Sequence, residues 1–208
     1  MRLFVAAEIG EALAAGAAAL SQELQSRAAN AAPRAKVTWI PADRLHLTIR
    51  FIGEVDDARA TAIRAALELP IEVEPFELTL AGTGAFPKSG PPRVLWAGIE
   101  TGRAELIEAE RDVTSRLAPA GIAGEDRPYN PHLTLARVRD AAGLRSTVLF
   151  EGLEDRRIGT TRVDAITLFQ STLSPKGPTY LPLLRAWLRG ADPSLARRSG
   201  EAAKVAGP

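Results

Sequence analysis

Both histidines of this 208-residue chain stand in the same tripeptide, His46-Leu47-Thr48 and His132-Leu133-Thr134, 86 positions apart. Each lies in a run, LHLTIRFIGEV or PHLTLARV, that alternates apolar and polar residues and so reads as a β-strand. Residues i and i+2 of a strand share a face about 6 to 7 Å apart, so each motif offers an imidazole and a hydroxyl to the same space. If the two strands lie side by side about a pseudo-two-fold axis, two imidazoles and two hydroxyls meet in one cleft. A lone histidine on a strand is ordinarily a satisfied structural residue, but that reading does not account for both falling in one repeated motif. Imidazoles titrate near neutrality. One can serve as general base and the other as general acid at the same pH, which suits displacement at phosphorus with an alkoxide leaving group. The threonine hydroxyls can hydrogen-bond the non-bridging phosphate oxygens.

Other chemistries fit less well. The chain has no cysteine, which removes disulfides, zinc–thiolate sites, iron–sulfur clusters and cysteine nucleophiles. Two histidines without H-x-x-x-H, H-E-x-x-H or a carboxylate cluster make a poor metal site, so neither a metal nor another cofactor is expected. GTGAFP lacks the third glycine of a dinucleotide fingerprint, SPKGPT lacks P-loop spacing, and no G-x-S-x-G elbow occurs. With 26 basic and 25 acidic side chains the net charge is +1, so a polyanion would have to be held by a local patch. Strict alternation puts Arg50 on the face of His46 and Thr48, and Arg137 closes HLTLAR; both are candidate phosphate contacts as well as ordinary strand-end solvating groups. Arg44, Lys88, Arg93, Arg127 and Lys176 fall in or beside expected loops and could form a basic rim. Phe4, Phe86, Trp96 and Tyr129 could stack a base, although Phe4 and Trp96 sit in apolar strand runs and read better as core.

The scaffold around these groups is legible in the pattern. A strand over residues 2–7 leads into an Ala-rich helix over 8–29, then the strand KVTWI, the turn PADR and the first histidine strand. Asp56 and Asp57 can cap a helix running towards Leu69, which Pro70 ends. Strands over 73–81 and 93–100 flank the loop GTGAFPKSGPP, and a helix over 102–117, with Thr101 as its cap, precedes the second histidine strand. A short helix over 141–149 comes next, then TRVDAITLFQSTL and TYLPLLRAWL as strands joined by the turn SPKGP. Hairpin-like connections mixed with helices give an α+β class, and the matching segments HLTIRFIGEV and HLTLARVRDA suggest an internal duplication into two lobes. Residues 1–188 form the expected domain, and residues 189–208, small, polar and without apolar period, an expected disordered tail. No apolar run reaches the length of a membrane span, and Glu8 and Glu11 interrupt the Ala-rich start, so neither a membrane nor a secretory signal is expected.

The paired H-x-T-x motifs resemble those of the two-histidine (2H) phosphoesterase superfamily. The wider context, RLFVAAEI, WIPADRLHLTIRFIGEV, GAFPKSGPPRVLWAGI, RPYNPHLTLARV and LFQSTLSPKGPTYLPL, is similar to its bacterial and archaeal RNA 2',3'-cyclic phosphodiesterases, historically called 2'-5' RNA ligases. The resemblance implies a bilobal fold with one motif from each lobe facing a central cleft, and metal-independent hydrolysis of a terminal 2',3'-cyclic phosphate on RNA to a 2'-phosphate. It makes His46 the proton donor to the departing 3'-oxygen and His132 the acceptor that activates water, with Thr48 and Thr134 on the phosphate. The spacing itself does not distinguish the two histidines. A cytoplasmic monomer acting on RNA ends or nucleotides is expected. A related phosphoesterase acting on a small cyclic nucleotide or a 2'-5' linkage, and a non-catalytic RNA-end binding module, are the alternatives.

Overall fold

In the computed structural model, residues 1–174, 177–192 and 194 are described. Lys176 and most of the expected tail lie outside them. The chain runs β1 (Arg2–Glu8), α1 (Glu11–Ala31), β2 (Lys36–Trp39), β3 (His46–Glu54), α2 (Asp57–Ala66), β4 (Phe76–Phe86), β5 (Val94–Thr101) and α3 (Arg103–Leu117). It continues with β6 (Leu133–Asp140), α4 (Ser146–Leu149), β7 (Arg157–Val163), β8 (Ala165–Ser174) and β9 (Gly177–Trp187). The strands form two sheets of order β3-β1-β8-β9 and β2-β6-β5-β4-β7, so each histidine motif belongs to its own sheet. The α+β class and two-lobed plan expected from the repeated segments are what the chain adopts.

Each lobe repeats one unit, a strand followed by a helix and then an antiparallel neighbour of that strand. β1 and α1 lead to β3, which pairs with β1; β5 and α3 lead to β6, which pairs with β5. The helices exchange lobes. α1 leaves the first sheet and packs against β7 and β6 of the second, whereas α3 leaves the second sheet and packs against β3 of the first. α1 can do this because Leu13, Ala17, Leu20, Leu24 and Ala28 recur at helical spacing and form its buried stripe. One apolar core therefore joins both sheets and includes Leu47 and Leu133, the residues between histidine and threonine in each motif. Each such leucine contributes about 1.5 to 3 kcal/mol on burial.

Three boundaries differ from the sequence expectation. Thr101 does not cap α3: it remains in β5 opposite Thr79, and Gly102 takes the cap position at φ +88°. A Cβ there would lie 2.8 Å from the Glu77 carbonyl oxygen, so close backbone approach as well as conformation selects glycine. The run TRVDAITLF is two strands rather than one, because at Asp164 the chain leaves β4's side in the second sheet and enters β8 beside β1 in the first. Order also extends past residue 188: the Arg189 amide donates to the carbonyls of Ile71 and Val73, both at 2.9 Å. Asp56 caps α2 as expected, its side chain accepting from the Arg59 amide at 2.8 Å. Among the described residues no helix is long and apolar enough to cross a membrane.

Candidate active site

Both motif strands carry the same irregularity at the same place. In β3, Ala6 of β1 faces Thr48 and Val5 faces Arg50, so Ile49 is the extra residue of a β-bulge. In β6, Trp96 of β5 faces Thr134 and Leu95 faces Ala136, which makes Leu135 the extra residue. A bulge puts two successive residues on one side and re-aims the side chains beyond it. Ile49 and Arg50 are accordingly both buried, as are Leu135 and Ala136, while Phe51 and Arg137 return to the side of the histidines and are exposed.

That register overturns the placement of Arg50. Its side chain is buried away from the imidazoles, with NH1 3.6 Å from Glu110 of α3 and 3.7 Å from Glu125, and NH2 donating to the Ala123 carbonyl. It holds the 121–131 loop to the back of the first sheet, on the side away from the histidines. Arg137 keeps its candidacy: it is exposed, and its charge bears on both His46 and His132.

The two histidines are mounted identically. His46 Nδ1 lies 2.8 Å from the carbonyl of Arg44, and His132 Nδ1 lies 2.7 Å from the carbonyl of Asn130, each two residues upstream. A carbonyl only accepts, so Nδ1 carries the hydrogen and Nε2 is left as the exchanging nitrogen on both rings. Burial lowers the pKa of each below the ordinary 6.5; the backbone carbonyl partly restores it, and the Arg137 guanidinium lowers it further. The rings are held laterally by aromatics. His46 lies 5.0 Å from the Phe4 ring and 5.2 Å edge-on from Tyr180, and His132 lies 5.1 Å edge-on from Phe86 and 6.3 Å from Trp96.

Tyr129 ties the motifs together. Its hydroxyl donates to the Thr48 carbonyl at 2.9 Å, while the next residue, Asn130, supplies the carbonyl that orients His132. Burial, assisted by Glu110, pushes this phenol up, so it remains a donor rather than the free stacking ring the sequence suggested. Phe4 is core-like, stacked on Phe169 at 5.2 Å, yet it also walls the His46 ring. Trp96 is half-buried and packs on Phe86, in a space that exists because residue 84 is glycine: a Cβ there would lie 2.1 Å from the indole. Sequence reasoning missed Tyr180, which strand pairing brings against His46, and Phe51 and Phe169, which pack on the Phe4 ring. Among the described residues no group of three or more metal-ligating side chains occurs.

Comparison with known proteins agrees with this geometry. The profile of the 2'-5' RNA ligase superfamily matches residues 12–174, which contain both motifs. The RNA 2',3'-cyclic phosphodiesterase of Aeropyrum pernix is 38% identical over 142 residues, 68% of this chain and 80% of that protein. The protein of the same name from Methanocaldococcus jannaschii is 29% identical over 190 residues, 90% of this chain and 100% of its own length. Among solved structures, TT0787 of Thermus thermophilus superposes with TM-score 0.72 at 29% identity, covering 92% of this chain and 100% of its own. Escherichia coli LigT complexed with 3'-AMP superposes with TM-score 0.66 at 28% identity, over 90% and 98%. With two bulged histidine strands set in matching lobes and a profile match spanning both, the chain belongs to the 2'-5' RNA ligase superfamily of 2H phosphoesterases.

Proposed function

We propose that the protein is an RNA 2',3'-cyclic phosphodiesterase that opens a terminal 2',3'-cyclic phosphate to a 2'-phosphate by paired-histidine acid–base catalysis. The observation that carries the proposal is the identical mounting of the two imidazoles, each with Nδ1 committed to a backbone carbonyl and Nε2 left for proton exchange. In this reading His132 takes a proton from the attacking water. His46 gives one to the departing 3'-oxygen, so the two end with protonation states exchanged and must re-equilibrate with solvent before the next turnover. Thr48 and Thr134 hold the non-bridging oxygens by hydrogen bonds, and Arg137, close to both rings, offsets the charge that builds on the phosphorane. RNA ends are intracellular and one chain supplies both motifs, so the proposal carries with it a cytoplasmic enzyme acting as a monomer. The curated relatives' name and the nucleotide bound in LigT support the substrate class.

The direct test is incubation of purified protein with a short oligonucleotide ending in a 2',3'-cyclic phosphate, with EDTA present and the product isomer identified. The expected product is the 2'-phosphate. Formation of the 3'-phosphate, or binding without turnover, would displace this reading in favour of another bond specificity or of an end-binding module.

A further inference from the structure

Beside His132 the surface opens into a cavity of about 570 Å³ lined by Phe86, Pro87, Pro91, Arg93, Val94 and Arg127. It adjoins the site directly. Phe86 is the ring packed edge-on against His132, and Val94 pairs with Arg137 in the β5–β6 register. Pro91 also lines a second cavity of about 470 Å³, which carries Lys88 from the β4–β5 connection and Arg145, Ser146 and Thr147 at the start of α4. The two cavities are thus neighbours with Pro91 as a common wall, the first being the one next to His132. Arg93, Arg127, Lys88 and Arg145 are all exposed, and none forms an ion pair among the described residues. Other arginines, Arg27, Arg116, Arg156, Arg162 and Arg189 among them, each hold a carboxylate.

We infer that this pair of cavities is the track of the RNA strand on the 5' side of the cyclic phosphate. The inference rests on the phosphodiesterase reading and deepens it. The first cavity has the composition that a nucleotide needs, one aromatic ring, two prolines and a valine together with two guanidinium groups. Its volume lies within the range of small-molecule sites. The second has cations and hydroxyls without an aromatic, which suits backbone phosphates rather than bases. Four cations without an ion pair among the described residues, two lining each cavity, supply the local patch that a net charge of +1 over the whole chain does not. The enzyme would therefore act on a nucleoside 2',3'-cyclic phosphate through the histidines alone and favour an oligonucleotide through the track.

The test compares Arg93→Ala/Arg127→Ala with the wild type on two substrates, a nucleoside 2',3'-cyclic phosphate and a tetranucleotide with the same end. It also measures binding of the two corresponding 2'-phosphate products. For the tetranucleotide, kcat/KM should fall on the order of tenfold per guanidinium, the scale of one charge-assisted hydrogen bond. The mononucleotide kcat/KM should stay unchanged. The salt dependence of tetranucleotide binding should become shallower by about 0.7 in log–log slope for each phosphate that the variant no longer holds. Lys88→Ala/Arg145→Ala should affect the tetranucleotide alone. Equal losses on both substrates, no loss on either, or a length-selective loss from Arg2→Ala/Arg44→Ala on the opposite lobe would each overturn the track. A wild-type protein that turns over neither substrate but still binds the longer product more tightly, through Arg93 and Arg127, would refute the phosphodiesterase reading and uphold the track.

Discussion

At the scale of single residues the site works against its own burial. Apolar surroundings and the nearby Arg137 favour neutral imidazoles, yet one of the pair must be charged to donate a proton. The free enzyme should therefore show a bell-shaped kcat/KM with its centre on the acid side of 6.5, because both limbs belong to histidines held below that value. A bound phosphate anion raises both pKa values, so the kcat profile should lie at higher pH than the kcat/KM profile; coincident profiles would contradict this. Arg137→Met removes a cation from both rings. Both histidine pKa values, followed by NMR titration, should move up in this variant, and a shift in only one would show that the guanidinium serves a single ring. His46→Ala and His132→Ala should each cost about 10² to 10⁴-fold in turnover while the protein stays folded. A substrate with a good leaving group at the 3'-oxygen should rescue His46→Ala and not His132→Ala; the reverse would exchange their roles. Turnover should persist in EDTA, since two imidazoles with two hydroxyls are a weak ligand set, and loss restored by one particular metal would overturn this.

At the scale of elements, the bulge is what strict alternation could not reveal. Period-two counting from His46 puts Arg50, four residues on, in the cleft, whereas the same count from His132 puts Arg137, five residues on, behind the sheet. Taking both Arg50 and Arg137 as phosphate contacts is therefore incompatible with strict alternation in a duplicated unit, and that conflict is the available sign of an extra residue in each strand. Aligning the motifs sets Arg50 against Ala136 and Phe51 against Arg137, and the small apolar alanine marks which column is buried. The two repeated strands and the two-lobed plan were legible because each depends on local pattern or on a repeat. The aromatic walls were not, because Phe4, Phe169 and Tyr180 come from three strands whose order only pairing fixes. The corrected register predicts opposite phenotypes for two arginines. Arg50→Met should lower stability on the order of 2 kcal/mol by releasing the Ala123 loop and leaving Glu110 with less company, with turnover largely kept well below the melting temperature. Arg137→Met should cut turnover and leave the melting temperature near that of the wild type. Interchanged results would put Arg50 back in the cleft.

At the scale of the molecule, the exchange of helices between lobes makes one core serve both sheets, so unfolding should be a single transition despite the duplicated plan. Its pH dependence stems from the histidines. In the unfolded chain both titrate near 6.5, whereas in the fold both are held lower, so between those values the unfolded state binds more protons. Their contribution to stability is thus complete above 6.5 and is lost as pH falls from 6.5 through the folded-state values, the opposite of a histidine that gains a carboxylate partner. Replacing both with glutamine should flatten this part of the stability–pH curve, as read from melting temperatures across the acid range. Inorganic phosphate should do so too, because an anion between the rings favours their charged forms and returns the folded pKa values towards the unfolded one. If the wild-type curve rises with acidity in this window, or the glutamine variant keeps the full wild-type slope, the buried neutral pair is not what sets it.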